Sequence, residues 1–255
     1  MPQEHQLWLT VLVNKLIGAP VAWLLTSLGF HPNPAYPIPE YTCGEILVIL
    51  LILVAVMVLR SRLSVENPGK LQQIMEVFVE FTQNLTDDVI GHDSRRYVPL
   101  IGTLGLFVLI CNLIGIIPTM TTPTANIYVT LGCAVVAFLY YNYHGIRVHG
   151  GLGYVRHFAG PPELAKVSVW LAIGVGLLMV PLEIVSDSFR MLSLSVRLWA
   201  NMLVGNLIEG VFAGLVPLIV PSIFIALHIF VGFLQAYVFM ILPAVYISLA
   251  ASEEH

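Results

Sequence analysis

Arg197 lies in the run Leu-Ser-Val-Arg-Leu-Trp-Ala-Asn-Met-Leu-Val-Gly-Asn-Leu, residues 194 to 207, deep inside an apolar stretch. A guanidinium cannot lose its proton there. An arginine at the centre of a membrane helix costs roughly 2.5 to 3.5 kcal/mol on translocon scales, so it normally faces a partner or a wet cavity. Glu183, Asp187, Arg190, Leu194, Arg197 and Asn201 are separated by four, three, four, three and four positions. On a helix they fall within roughly 80° of arc. Charges of both signs along one stripe inside a membrane imply internal pairing or an ion path. Asp187 and Arg190 have the spacing of a local ion pair, whereas Arg197, seven residues beyond Arg190 and ten beyond Asp187, has no acidic partner on its own helix within that reach. It is the leading functional residue. Farther on, His228 and Gln235 lie two turns apart on one face, with no charge near them in sequence. A neutral imidazole relays protons near neutral pH, and Gln235 suits either the side of such a relay or a hydrogen bond between helices.

Other chemistries are poorly supported. Gly150, Gly151 and Gly153 lack the lysine and Ser/Thr spacing of a phosphate-binding loop. His144, His149 and His157 have no metal-ligand spacing and read as solvated loop residues. Cys43, Cys111 and Cys133 show no CxxC pattern and read as inert buried thiols. Neither a metal nor a cofactor is expected. Gly210 and Gly214 form a small-xxx-small pair, an unspecific packing signal.

The elements that must position these residues belong in a bilayer. The 255 residues are 58% hydrophobic and 10% charged, with mean hydropathy +0.87 and formal net charge −4, against about 25% charged in soluble domains. No Asp, Glu, Lys or Arg occurs between Arg96 and Arg147, nor from Gly210 to Ser252. One integral membrane domain over residues 41–255 is expected, preceded by an N-terminal interfacial or periplasmic segment, residues 1–40. Arg60, Arg62, Lys70, Arg95 and Arg96 form one basic region and Arg147, Arg156 and Lys166 another, while the 118–126 connection is uncharged. The positive-inside rule puts both basic regions in the cytoplasm. The start of the chain lacks the pattern of a cleaved signal peptide.

Residues 5–30 carry Asn14, Lys15, Gly18, Pro20 and Gly29, interruptions that favour an interfacial or re-entrant helix over a secure span. Cys43 to Leu59 is the first convincing membrane helix. From Pro68 to Ile90, Leu71, Ile74, Met75, Phe78, Phe81 and Leu85 recur at three and four, an amphipathic helix for the cytoplasmic surface. Tyr97–Ile117 spans outward and Ala125–Tyr143 returns, followed by a cytoplasmic loop from His144 to Pro162. Two long elements follow, Glu163 to about Val204 and about Leu207 to Ala251, strongly tilted or broken at Pro181, Pro217, Pro221 and Pro243. The fold class is an all-α integral membrane protein with about five transmembrane helices, the amphipathic surface helix, and long, tilted final helices.

From about residue 40 onward the chain resembles the membrane a subunit of F-type ATP synthases in its bacterial form. The resemblance rests on Tyr97-Val-Pro-Leu-Ile-Gly-Thr-Leu, Asn112-Leu-Ile-Gly-Ile-Ile-Pro118, Pro123-Thr124, Glu183, Arg197-Leu-Trp-Ala-Asn201-Met, His228, Gln235-Ala-Tyr-Val-Phe-Met and the ending Ala-Ser-Glu-Glu-His. It implies a stator with two offset half-channels beside a rotating c-subunit ring, the last two helices lying against that ring. Arg197 matches the family's essential arginine, Asn201 and Gln235 the polar residues near it, and Glu183 and His228 the channel-lining groups. Further implied partners are the b-subunit peripheral stalk, the F1 sector reached through it, the lipid bilayer and protons, without nucleic acid. The implied location is the bacterial plasma (inner) membrane, N-terminus periplasmic and C-terminus cytoplasmic. ATP chemistry would occur on partner subunits. There is one departure: where bacterial members commonly carry Gly followed by Glu, Gly205 is followed by Asn206, which cannot ionise, and Glu209 is the candidate substitute. Two readings compete. In a secondary transporter, Arg197 would bind an anionic substrate, but no internal repeat supports this; in a non-conducting scaffold the polar stripe would be paired off internally.

Overall fold

The computed structural model describes residues 8–29, 33, 36–91, 94–117, 120–149, 169–213 and 219–251. Among these there are seven α-helices and no strand: α1 (Trp8–Ser27), α2 (Glu40–Ser61), α3 (Lys70–Ile90), α4 (Val98–Ile114), α5 (Ile127–His149), α6 (Val169–Ala213) and α7 (Ile219–Ala251). Four of them, α1, α2, α6 and α7, contain stretches long and apolar enough to cross a membrane, and α4 is a shorter apolar helix of 17 residues.

The first helix takes in the residues that interrupt the apolar pattern. Residues 8–27 run unbroken through Pro20, as one helix that includes Asn14, Lys15 and Gly18. Asn14 does not break the helix because its amide is fully used. Its Nδ2 donates to the carbonyls of Thr10 (2.9 Å) and Ile38 (3.0 Å), and its Oδ1 accepts from the Ile38 N–H (2.9 Å). The side chain thus clasps the Pro-rich segment that leads into α2.

Helix α3 has three faces, more than a simple amphipathic pattern provides. Gln72, Thr82, Leu85 and Thr86 are buried, and α3 packs on α4 and α7. Ile74, Val77 and Phe81 are exposed, Ile74 by 64%. At about 100° per residue these three share one stripe, while Gln73, Glu76, Glu80 and Asp87 occupy another. Of the six apolar residues that recur at three and four, Leu85 is buried whereas Leu71, Ile74 and Phe81 are exposed. An outward apolar stripe is consistent with lipid as its neighbour. Gly91, at φ 76°, closes the helix in a conformation that favours glycine, and Ser94 Oγ donates to the Asp87 carboxylate.

Helix α5 runs on to His149, so His144 is helical and not part of a solvated loop. His144 is 8% exposed, packed edge-on to Tyr97 at 4.8 Å and against Tyr140 at 4.9 Å between ring centroids. Burial, then the charges of Arg96 and Arg147, hold its pKa below the usual histidine value. His149's side chain and all of His157 lie outside the described residues.

The boundary between the last two helices also differs from expectation. α6 continues through Gly205 and Asn206 to Ala213, and α7 begins at Ile219. Glycine inside a helix costs only about 1 kcal/mol, and no proline occurs between Pro181 and Pro217. Pro181 and Pro243 are accommodated within the helices. At about 1.5 Å per residue, 45 and 33 residues exceed the roughly 30 Å hydrocarbon core.

The core forms where α4, α5, α6 and α7 meet, around Val108, Ala137, Leu198, Met202 and Phe239. A second cluster includes Leu85 of α3 with Ile101, Tyr141 and Ala244. Lipid supplies little hydrophobic drive between helices, so close packing at small residues matters. The connection after α4 folds back tightly: a Cβ on Gly115 would overlap Thr122 Oγ1 and lie 2.8 Å from Thr122 Cβ and 3.3 Å from its Cα. Because backbone is among the obstacles, Gly115→Ala should cost about 1–3 kcal/mol as overpacking. The expected result is a lower unfolding midpoint of the detergent-solubilised complex; an unchanged midpoint would refute the close approach.

Candidate functional site

Arg197 sits on one side of α6 and the packed core on the other. Leu194, Ser195, Leu198 and Met202 are buried, whereas Arg197 and Asn201, one turn apart, are exposed. Val196, Val204 and Leu207 are exposed beside them. The guanidinium therefore stands on an aliphatic lateral surface. Leu194, which the spacing placed on the polar stripe, is 1% exposed and belongs to the core. It lies on the side of that arc where α5 and α7 pack. Arg190 is half-buried, with its Cζ 5.8 Å from the centre of the Tyr246 ring, a cation–π approach from α7. Glu183, Asp187 and Glu209 lie on α6, but their side chains lie outside the described residues.

Helix α7 brings its polar residues against this helix. His228 is 7% exposed, and a Cβ on Gly205 would sit 3.2 Å from its Nδ1. The imidazole is thus packed under Gly205, two turns along α6 from Arg197. Gln235 is 1% exposed, its Oε1 without a hydrogen-bond donor among the described residues. Its neighbours Ala236 and Phe239 pack in one cluster with Leu194, Leu198 and Met202, which sets this part of α7 beside the Arg197 turn. His228 and Gln235 therefore meet the predicted helix.

Sequence reasoning missed the function of the uncharged connection between α4 and α5. Thr121 Oγ1 donates to Glu40 Oε1 of α2 (2.8 Å), Thr122 Oγ1 to Asn206 Oδ1 of α6 (3.3 Å), and Thr124 Oγ1 to Asn112 Oδ1 of α4 (2.6 Å). Asn112 Nδ2 in turn donates to the Gly232 carbonyl of α7 (3.2 Å). Four helices are tied, directly or through Asn112, to three threonines of the connection. Deeper in the bundle, Thr130 of α5 and Ser195 of α6 share a buried hydroxyl contact of 3.1 Å. The available signal was three threonines in a short segment free of charge. Gly210, by contrast, has nothing within 4 Å of where its Cβ would be, and Gly214 lies outside the described residues. The small-residue pair therefore packs no described helix at Gly210. The three cysteines are free and buried.

The order of these elements, with an exposed arginine midway along a long apolar helix and a buried histidine and glutamine facing it from the next, has a counterpart in known proteins. The family described as ATP synthase A chain matches residues 43–248. The chain belongs to the ATP synthase A chain family. Among its relatives, ATP synthase subunit a of Koribacter versatilis (strain Ellin345) is 41% identical over 252 residues, covering 98% of this chain and 99% of that protein. Subunit a of Solibacter usitatus (strain Ellin6076) is 41% identical over 243 residues, 95% and 99% of the two chains. That of Geotalea daltonii is 38% identical over 232 residues, 91% and 94%. As an ATP synthase A chain, the protein is a multi-pass membrane protein and part of an ATP synthase complex.

Proposed function

We propose that the chain is the proton-translocating stator subunit of an ATP synthase FO sector, forming two half-channels beside a ring of c subunits and coupling proton flow to ring rotation. The observation that carries this reading is Arg197, exposed on the lateral face of α6 while the opposite face is packed. A permanent cation on an aliphatic surface within the membrane is stable only when another group covers it. A ring whose subunits each present a mid-membrane carboxyl supplies that group. The arginine favours the ionised form of an opposing carboxyl, so it draws off the proton of each arriving subunit and blocks direct passage between half-channels. Glu183, Asn201, Asn206, Glu209, His228 and Gln235 line the path on either side. One proton falling through about 100 mV yields about 2.3 kcal/mol; several are needed for each ATP, and a rotating ring accumulates them.

In this reading the membrane is the bacterial plasma (inner) membrane, with the N-terminus periplasmic, the C-terminus cytoplasmic and the Thr121–Thr124 connection on the outer side. The b-subunit stalk holds the chain to the F1 sector. The test is ATP-driven acidification of inverted vesicles with Arg197→Ala at matched subunit levels. Pumping should be lost in an assembled complex; undiminished pumping would leave only a scaffold.

A further inference from the structure

We propose that Glu45 is a proton-exchanging carboxyl of the outer half-channel, carried by α2 beside the polar connection between α4 and α5. This rests on the stator reading above. Glu45 lies in the second turn of a 22-residue helix long and apolar enough to cross a membrane. The first cation later in that helix is Arg60, in its last turn, about 22 Å away along the axis. An ionisable side chain in such a position is functional by default.

Three observations place the carboxyl on the bundle side of α2. It shares a stripe, at spacings of three and four, with Val48 and Ile52, which belong to a cluster with Cys111, Ile114 and Phe107 of α4. It is half-buried. Next to it, Gly44 approaches so closely that its Cβ would lie 2.8 Å from the Pro123 ring. One turn earlier, Tyr41 meets Tyr128 of α5 at 6.3 Å between ring centroids. Glu45 thus sits where α2 meets α4 and the connection before α5, one residue from the Pro123 contact.

The surrounding chemistry leaves this end of the bundle short of acids. Residues 97–149, which include α4 and α5, contain no Asp or Glu. Asn206 is an amide whose oxygen accepts from Thr122. Glu40, bound by Thr121, marks the mouth, and Glu45 is about 7.5 Å deeper along the helix axis. The step is a proton exchange: the Glu45 carboxylate takes a proton from outer water, then releases it to water within the half-channel on the way to the ring carboxyl. No electrons move, and the carboxylate is regenerated.

The test uses the assembled complex in inverted vesicles, whose lumen corresponds to the outer side, and measures ATP synthesis against lumenal pH. Glu45→Gln should lower synthesis fivefold or more at matched subunit levels, and Glu45→Asp should restore at least half of the native rate with a displaced pH profile. A Glu45→Gln complex with the native rate and profile would overturn the proposal. So would equal losses in both variants with the native profile. Accessibility gives a second measure that does not depend on the glutamine variant folding. With Cys43, Cys111 and Cys133 replaced by alanine, a Glu45→Cys chain should react with a charged, membrane-impermeant methanethiosulfonate from the outer side; failure to react would overturn the assignment. Arg197→Ala is measured alongside. If it still pumps, the stator reading fails; if it does not pump while Glu45→Gln behaves as native, only the Glu45 inference fails.

Discussion

With lysine in place of Arg197, proton-driven ATP synthesis is expected to fall a hundredfold or more while the complex still assembles. The two residues carry the same formal charge, so the expectation depends on how they hold it. A guanidinium remains protonated in every protein environment, whereas an ammonium loses its proton readily when desolvated. Arg197 is exposed on the separate chain beside Val196, Val204 and Leu207. A covering ring would remove that surface from solvent. Lysine in that position would release its proton to a ring carboxylate or to water, which turns a fixed barrier into another relay site. Its ammonium is also a compact point charge and lacks the planar fork that binds a carboxylate in two places. A hundredfold loss corresponds to about 2.7 kcal/mol, within the energy that separates a fixed from a labile charge in a partly desolvated site. The measurement is the rate of synthesis in energised vesicles at equal subunit content. Retention of more than a tenth of the native rate would mean that any positive charge suffices and would remove the fixed-barrier argument.

The sequence reveals the membrane setting and Arg197 because both depend on local facts. A long apolar run needs no tertiary context to be recognised, and a lone guanidinium inside one is conspicuous. It is less informative where neighbours decide. Leu194 shares the arc of Arg197, yet packing by α5 and α7 turns it into core, because an arc of about 80° can straddle the boundary between a packed and an open face. His144 looked like a loop residue because glycines follow it, but its environment comes from Tyr97, 47 positions earlier. Asn14 reads only as a polar interruption of an apolar segment until its partner at Ile38 is in place. The threonine connection has no helical period, so its four tethers, to α2, α4, α6 and through Asn112 to α7, emerge only from the fold. The same holds for Gly205: alone it signals flexibility, and only the approach of His228 makes it a contact.

That contact underlies the second large effect, expected when Glu209→Gln and His228→Ala are combined: synthesis should fall tenfold or more with assembly largely retained. Gly205 brings α6 against the His228 imidazole, and Glu209, one turn farther along α6, shares the Gly205 face. Asn206 lies between them in sequence but is a neutral amide bonded to Thr122. Proton transfer by a positioned side chain typically contributes about 10²–10⁴-fold to a rate, so deleting both candidate relays leaves water to make the transfer at a much lower rate. Each change also has a structural cost. Removing a buried imidazole opens a cavity, which is why synthesis must be normalised to assembled complex and read as a function of lumenal pH. A structural defect scales the whole profile, whereas loss of proton relays changes its shape. Unchanged coupling in the double variant would exclude both residues from the outer half-channel. A reduced rate with the native profile shape would assign them to packing between α6 and α7. A reduced rate with an altered profile shape, subunit levels held, would place the proton on this pair as it passes toward Arg197.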